Sequence, residues 1–182
     1  MKKLRLALLI GFSLLPLMAR AIQVNFTTVD LGGDRYRYDY TIVNDGSLGP
    51  STSLGLIDLL FDPALYEEAS LTNVSASALA VDWDQQFLAS APSIPAAFDL
   101  MAKGSGLPAG SQIGGFAVEF TWLGSGAPAA QPFEVYDQSS FSLLAQGVTS
   151  PVPEADAWLA LLVGLPILAG RYRRRSQADP AT

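Results

Sequence analysis

Two residue types with reactive side chains are missing from this sequence, which contains no cysteine and no histidine. Without cysteine the fold cannot use disulfides, thiolate nucleophiles or a Cys-ligated zinc site. Without histidine it cannot build a Ser-His-Asp or Cys-His triad, a His-ligated zinc site or the usual proton shuttle of physiological pH. An enzyme made from this chain would need an unusually spare active site, and we expect none.

Basic residues are scarce in the central part of the chain. Residues 22–150 carry fourteen acidic and three basic side chains, a net charge of −11. The whole-chain value of −6 hides this imbalance because the other basic residues lie near the two ends. A charge this negative favours solubility and repels phosphate backbones, so we expect no nucleic-acid partner. A solvated acidic surface is the favoured interpretation over a cation-binding one.

The N-terminus has the three parts of a secretory signal. Lys2, Lys3 and Arg5 precede an apolar stretch from Leu6 to Met18, and the small-x-small sequence 19–21 follows. This order predicts a signal peptide over residues 1–21 that a signal peptidase removes, leaving Ile22 as the first residue.

The C-terminus combines a short polar motif, an apolar stretch and a basic cluster. Residues 157–170 would form a helix about 21 Å long, against about 30 Å of bilayer hydrocarbon. We interpret this segment as a short transmembrane helix whose following arginines stay on the cytoplasmic side. The residues that define the pattern are Pro153, Glu154, Trp158, Arg171, Arg173, Arg174 and Arg175.

This tail resembles the PEP-CTERM sorting signal, which exosortases recognise in Gram-negative bacteria that make exopolysaccharide. Residues 153–176 follow its order of motif, tryptophan, apolar stretch and arginines, although Ala155 stands where the motif usually has proline. The resemblance implies insertion in the inner membrane, cleavage near Pro153-Glu154 by an exosortase-like enzyme, and release to the cell surface or matrix. It implies nothing about the activity of the preceding domain.

Apolar residues between the two ends alternate with a period of two, which is typical of strands. Tyr36, Tyr38, Tyr40 and Ile42 share one face of a strand that follows a Gly32-Gly33 turn. A second strand, 112–122, places Phe116, Val118, Phe120 and Trp122 on one face, and 54–61 reads as a buried central strand. Residues 78–83 are predicted as a further strand and 85–95 as a loop.

Eight or nine such strands predict an all-β domain over residues 22–148. We expect an antiparallel β-sandwich, immunoglobulin-like or jelly-roll-like, with a barrel as the alternative. The signal helix and the transmembrane helix would flank it. Residues 149–152 would be an extended linker, and 177–182 a polar tail.

Asp82-x-Asp84 is the best metal candidate, because two carboxylates spaced by two residues project to one side. Asp62 or Asp99 could add oxygen ligands for calcium. The spacing of an EF-hand is absent, so calcium is a weak expectation. Asp58 interrupts an apolar strand and could belong to a metal site, but an edge strand open to water is the preferred interpretation.

Paired carboxylates and aromatic residues could serve carbohydrate chemistry. A glycosidase needs two carboxylates on either side of the scissile bond. Glu67 and Glu68 are neighbours and would point to opposite faces, whereas Glu119 and Glu134 could face each other across strands. For both pairs, a solvated surface is the favoured interpretation over a catalytic site. Trp83 and Trp122, with the tyrosines of 36–40, could stack on sugars, although such rows more often belong to a core.

The sequence therefore predicts an exported, non-enzymatic protein with a structural or adhesive role at the cell surface or in the matrix. The alternative is a small carbohydrate-binding module or carbohydrate-active enzyme that acts on exopolysaccharide. The first predicts no perturbed carboxylate pair in a cleft. The second predicts an exposed aromatic platform or two carboxylates facing one groove.

Processing at both ends has a direct test. We expect the form released from the cell surface to lack Met1–Ala21 and most of residues 158–182, because both terminal segments are signals. The intact mass of the released protein measures this. A released species that retains Arg171–Arg175 would contradict cleavage of the tail, although not its membrane targeting.

Overall fold

The computed structural model describes residues 22–152 and shows a β-sandwich of two five-stranded sheets. The predicted signal peptide and the tail from residue 153 onward, including the transmembrane helix predicted at 157–170, lie outside the described residues. Within them the ten strands are β1 (Gln23–Gly32), β2 (Arg35–Asn44), β3 (Leu56–Phe61), β4 (Thr72–Asn73), β5 (Trp83–Leu88), β6 (Ala96–Ala102), β7 (Ser111–Thr121), β8 (Pro132–Tyr136), β9 (Leu143–Val148) and β10 (Ser150–Pro151).

The two sheets are built almost entirely from antiparallel pairs. The first has the order β10-β1-β2-β7-β4 and the second β5-β6-β3-β8-β9. Only β10 pairs in parallel, with β1. The helical segments of the described part are two short 3-10 helices, Glu68–Ser70 and Ser77–Val81. The predicted antiparallel sandwich is confirmed.

Strand alternation explains the first sheet. Along β2, Tyr38, Tyr40 and Ile42 are buried, while the residues between them face solvent on the other side. The β1–β2 hairpin turns where Gly32 and Gly33 adopt positive φ angles of 82° and 62°, which glycine tolerates without a Cβ clash. The predicted strand, its inward face and its turn are all confirmed.

An aromatic cluster fills the space between the sheets. The ring centroid of Phe120 on β7 lies 4.7 Å from that of Tyr38, 5.0 Å from that of Tyr66 and 6.3 Å from that of Phe61. Tyr66 in turn lies 5.0 Å from Trp122. Phe61 belongs to β3, so this cluster joins the two sheets, and its T-shaped contacts are the arrangement that aromatic quadrupoles favour.

Buried polar groups also connect the sheets. The Tyr40 hydroxyl donates to Oε1 of Gln131 at 2.7 Å, and the amide of Gln131 donates to the Leu60 carbonyl at 3.1 Å. The backbone N–H of Gln131 donates to the hydroxyl of Thr149 at 2.9 Å. Gln131 and Thr149 are each only 2% exposed, so these bonds satisfy groups that would otherwise be costly to bury.

Three segments differ from the prediction. Residues 78–83 were predicted as a strand, but most of them form the second 3-10 helix. Strand β5 begins at Trp83 and continues to Leu88, inside the predicted loop 85–95. The predicted linker 149–152 belongs to the sandwich, because Ser150–Pro151 pair with β1 and Val152 donates to the Phe26 carbonyl. Proline keeps the chain extended and has no backbone N–H to donate, so it is tolerated in an edge strand. The same property therefore explains why an extended linker was predicted and why an edge strand is observed.

Truncation of Phe120 should strongly destabilise the domain. Phe120 is 1% exposed and contacts both sheets, so Phe120→Ala should cost about 3–5 kcal/mol in unfolding free energy. Denaturant unfolding measures the loss. Phe141→Ala is the matched control, because Phe141 is 65% exposed and its loss should change stability by no more than about 0.5 kcal/mol. An unchanged unfolding midpoint for Phe120→Ala would contradict the observed packing.

Candidate functional site

The outer faces of the two sheets differ in chemistry. On the first sheet, charged residues of β2 and β7 form exposed ion pairs, Arg35 with Glu119 at 2.9 Å and Arg37 with Asp39 at 3.1 Å. On the second sheet, the outer positions are largely apolar. We call this outer surface of the second sheet the acidic face, because a row that includes three carboxylates crosses its centre. The residues around that row are Leu56, Leu60, Leu88, Met101, Pro132, Tyr136, Leu143 and Val148.

The polar row follows directly from the strand register. Asp58 on β3 pairs with Asp99 on β6 on one side and with Glu134 on β8 on the other. Asp99 pairs with Gln86 on β5, and Glu134 pairs with Gln146 on β9. Three carboxylates therefore stand side by side, with an amide at each end of the row.

Asp58 and Asp99 are the closest neighbours in the row. The N–H of Ala102 donates to the Gly55 carbonyl at 2.8 Å, and alternation from that bond makes Asp58 and Asp99 a non-hydrogen-bonded backbone pair. In such pairs the Cα atoms approach to about 4.5 Å, and the side chains lie closer than in the alternate class. The backbone pairing itself therefore forces two carboxyl groups into contact.

Burial raises the pKa of Asp58 to about 7, and its hydrogen bond to Asp99 and the negative charges of Asp99 and Glu134 act in the same direction. Each of these effects disfavours the carboxylate form. With one proton between them, the carboxyl groups of Asp58 and Asp99 share a hydrogen bond. Oδ1 of Asp58 is buried, and no amide or hydroxyl donor of residues 22–152 bonds to it. Asp99 is 7% exposed, and its Oδ1 accepts a long bond of 3.4 Å from the amide of Gln86.

Glu134 is held by its own strand. The Tyr136 hydroxyl donates to Oε2 of Glu134. That bond, with burial and the charges of Glu134 and Asp58, raises the pKa of Tyr136 to about 12. Tyr136 thus remains a neutral donor at physiological pH, and it fixes the orientation of the third carboxylate in the row.

A groove of about 350 Å³ opens on the acidic face beside this row. Asp58 and Asp99 line it together with Tyr136 and Phe141. Phe141 comes from the β8–β9 turn, has a φ of 55° and exposes 65% of its surface. The groove therefore combines a pair of carboxyl groups with two aromatic rings, and Leu56, Leu88 and Met101 complete its apolar wall.

The predicted metal candidates do not come together. Asp82 ends a 3-10 helix and Asp84 is exposed on β5, where β6 separates it from Asp58 on β3. Asp84 also stands one row away, since it pairs with Met101 and not with Asp99. Residues 22–152 contain no group of three or more acidic side chains arranged to hold a metal ion.

The preferred interpretation of Asp58 was wrong. It was expected on an edge strand open to water, whereas β3 is the central strand of its sheet, as the separate prediction of a buried central strand at 54–61 had it. Alternation places Ile57 and Leu59 in the core and Asp58 on the outer side, between two other strands. Its neighbours shield it from water, and this shielding explains its perturbed ionisation.

One of the carboxylate pairs considered from the sequence is also separated. Glu119 lies on β7 in the first sheet and Glu134 on β8 in the second, so they do not face each other. Glu68 accepts hydrogen bonds from the backbone and hydroxyl of Ser90, at 3.0 and 2.5 Å. Trp83, Tyr38 and Tyr40 are at most 4% exposed, which confirms their core role over a sugar platform.

Asp99 in its present role was missed, although a signal was present. Each of the three central strands of the second sheet has one acid inside an apolar run: Asp58 in LIDLLF, Asp99 in AAFDLMA and Glu134 in PFEVY. Aligning the strands on these acids would have placed the row. Phe141 carried no comparable signal, because its position depends on the conformation of the turn.

Comparisons with known proteins show no family for this chain. No family model matches the chain, and no curated protein is similar to it in sequence. Among solved structures, a GH20 exo-β-N-acetylglucosaminidase from Vibrio harveyi is 12% identical with a TM-score of 0.39, over 74% of this chain and 18% of that chain. This chain thus spans less than a fifth of the length of that enzyme.

A second similar structure is a chain of a type I cohesin–dockerin complex from Clostridium thermocellum. It is 13% identical with a TM-score of 0.37, over 73% of this chain and 100% of that chain. These values show neither a family nor a function for this chain. Among residues 22–152, no helix is long and apolar enough to cross a membrane.

The raised pKa of Asp58 predicts how stability depends on pH. An ordinary Asp ionises near pH 3.9, so between about pH 4 and 7 the folded state retains a proton that the unfolded state releases. Stability therefore falls as the pH rises through this window. Asp58→Asn should flatten that slope and make the variant more stable than the parent protein at pH 8.

Unfolding free energies at pH 4.5 and pH 8 measure this difference. Asp84→Asn is the matched control, because it removes an exposed carboxylate on β5 from the same outer face of the sheet and should leave the slope of stability against pH unchanged. A parent-like slope in Asp58→Asn would show that Asp58 is ionised throughout the range.

Proposed function

We propose that this chain is an exported, non-enzymatic protein of the cell surface or matrix that binds its ligand through the acidic face. The signal peptide predicted at 1–21 and the PEP-CTERM-like tail at 153–176 support export, insertion in the inner membrane and processing by a signal peptidase and an exosortase-like enzyme. The structural or adhesive role then belongs to the sandwich between them.

The single observation that carries the binding role is the buried Oδ1 of Asp58, which no amide or hydroxyl donor of the described residues reaches and which lies beside an open groove. A buried oxygen without a hydrogen bond destabilises a fold. Apolar residues surround the Asp58 oxygen, although the outer face of a sheet can be polar throughout. A ligand that donates a hydrogen bond at this position would satisfy the oxygen and cover the apolar residues around it.

The carboxylate geometry favours binding over catalysis. A glycosidase holds its two carboxyl groups about 5–9.5 Å apart with the scissile bond between them. Asp99 and Glu134 stand two strand spacings apart, roughly 9–10 Å, but Asp58 occupies the position between them. Asp58 and Asp99 contact each other directly and leave no space for a sugar ring between them.

A carbohydrate ligand is the second candidate, and a specific observation favours it. Asp58 and Asp99 face one groove that also contains the rings of Tyr136 and Phe141. Two carboxylates facing one groove were expected of the alternative, a carbohydrate-binding module or carbohydrate-active enzyme, and a perturbed pair of this kind was not expected of the non-enzymatic protein. Sugar hydroxyls would donate to the buried carboxyl oxygen, and the apolar face of a sugar ring would stack on an exposed aromatic ring. Exopolysaccharide of the producing cell is the ligand to test first.

Co-sedimentation of the exported protein with purified exopolysaccharide tests this candidate. We expect Phe141→Ala and Glu134→Gln each to weaken retention about tenfold or more, because each removes a group from the acidic face. Leu123→Ala is the control, since Leu123 is also exposed, at 55%, but follows β7 of the first sheet.

Three results would decide between the possibilities. Retention that is unchanged in both variants would exclude the acidic face as the carbohydrate site. Retention by no polysaccharide, with the same variants losing attachment to the cell surface, would favour a protein ligand. Release of new reducing ends by the parent protein would contradict the non-enzymatic role.

A further inference from the structure

Three of the four sheet edges in the described residues are protected against pairing with another chain. Strands β4 and β10 have two residues each, and β10 contains Pro151. Edge strand β5 carries Asp84, and Oε1 of its Gln85 accepts a hydrogen bond from the side chain of Asn73 at 3.2 Å. Short strands, proline and charge are the usual devices that prevent edge-to-edge association.

The remaining edge, β9, has none of these features. Its six residues, Leu143–Val148, include no charge and no proline. The nearest charged residues along the chain are Asp137 and Glu154, so the whole segment 138–152 is uncharged. Leu143, Leu144 and Val148 expose 50%, 37% and 61% of their surfaces. A strand of this kind is a template for the addition of another strand.

Within residues 22–152, no strand pairs with the outer side of β9. Thr149 donates its N–H to the Gln131 carbonyl at 2.8 Å, and alternation along the β8–β9 register then directs the N–H groups of Ala145 and Gly147 toward β8. The N–H groups of Gln146 and Val148 therefore point away from the sheet. Pro132 and Val148 form a pair that exchanges no backbone hydrogen bonds, so the missing N–H of Pro132 leaves no donor position empty between β8 and β9.

We propose that β9 pairs antiparallel with β9 of a second copy of this chain, which joins the two second sheets into one ten-stranded sheet. Two copies repel each other across most of their surfaces, because residues 22–150 carry a net charge of −11. The uncharged β9 edges can approach without that repulsion. Antiparallel pairing of identical strands is also self-complementary, as a two-fold dimer requires.

In the dimer, the acidic faces of the two copies lie on the same side of the joined sheet. A two-fold axis between paired antiparallel edges runs perpendicular to the sheet, so the outer faces of both copies point in one direction. Two grooves would then be available to a repetitive ligand, and attachment would gain from the high effective concentration of the second site. This consequence rests on the proposed function, whereas the dimer itself does not.

A single strand pairing buries little surface, so the dimer should depend on concentration. Because the chain has no cysteine, introduced cysteines report the contact without background. We would place one cysteine at a time at Leu144, Gln146 and Val148 of the full chain and oxidise mildly. Thr27→Cys is the control, because Thr27 is exposed on β1 of the first sheet.

Disulfide-linked dimer should form fastest from one of the three β9 positions, the one nearest the two-fold axis, and slowly from Thr27→Cys. Sedimentation of the exported protein should show that Val148→Pro, which removes an outward N–H, weakens dimerisation about tenfold or more. Val148→Thr keeps the N–H and the branched shape and should dimerise as the parent does.

Two outcomes would overturn the proposal. One is a parent protein that stays monomeric at the highest concentration it reaches. The other is cross-linking at β9 no faster than at Thr27. Circular dichroism of Val148→Pro verifies that the sandwich remains folded, and the cysteine variants test the contact independently of that substitution. Neither measurement includes a ligand, so failure of the dimer and failure of the proposed function remain distinguishable.

Discussion

The alternation of side chains along β3 is the constraint on which both the core and the acidic face depend. Ile57, Leu59 and Phe61 must point inward, because their burial contributes to the contact between the two sheets. Asp58 must then point outward from the central strand, where β6 and β8 shield it on both sides. A shift of one residue would exchange the faces, placing a carboxylate in the core and three large apolar side chains outside. Core packing therefore fixes the position of the carboxylate.

The sandwich is held without disulfides by aromatic packing and a few buried polar links. Phe120 joins β7 to Phe61 of the opposite sheet, and the Tyr40–Gln131 bond connects the sheets a second time. Gly147 shows how closely this core is packed against β9, because a Cβ there would lie 2.7 Å from the ring of Phe133. The strand that we propose as the dimer edge is thus anchored by its inner face, while no strand of residues 22–152 pairs with its outer edge.

Sequence periodicity was sufficient for the features that depend on one strand at a time. It placed Tyr38 and Phe120 in the core and identified the β1–β2 turn, because alternation and glycine chemistry are local. It failed for Asp58, whose environment depends on which strands lie beside β3. That neighbourhood is set by pairing between residues 40 to 80 positions apart, such as Asp58 with Asp99 and Glu134, and a single sequence does not contain the register.

The carboxylate row is the place where the rules of a stable surface are broken, and that is the physical reason to assign function there. The first sheet neutralises its outer charges in pairs, such as Arg35 with Glu119. The second sheet places three like charges in adjacent positions with no basic residue among its strands β5, β6, β3, β8 and β9. Repulsion and desolvation both destabilise this arrangement, and protonation of Asp58 relieves only part of that cost. A ligand that donates hydrogen bonds to the row would reduce the remaining repulsion and desolvation of the carboxylates. This reduction would add to the free energy of binding.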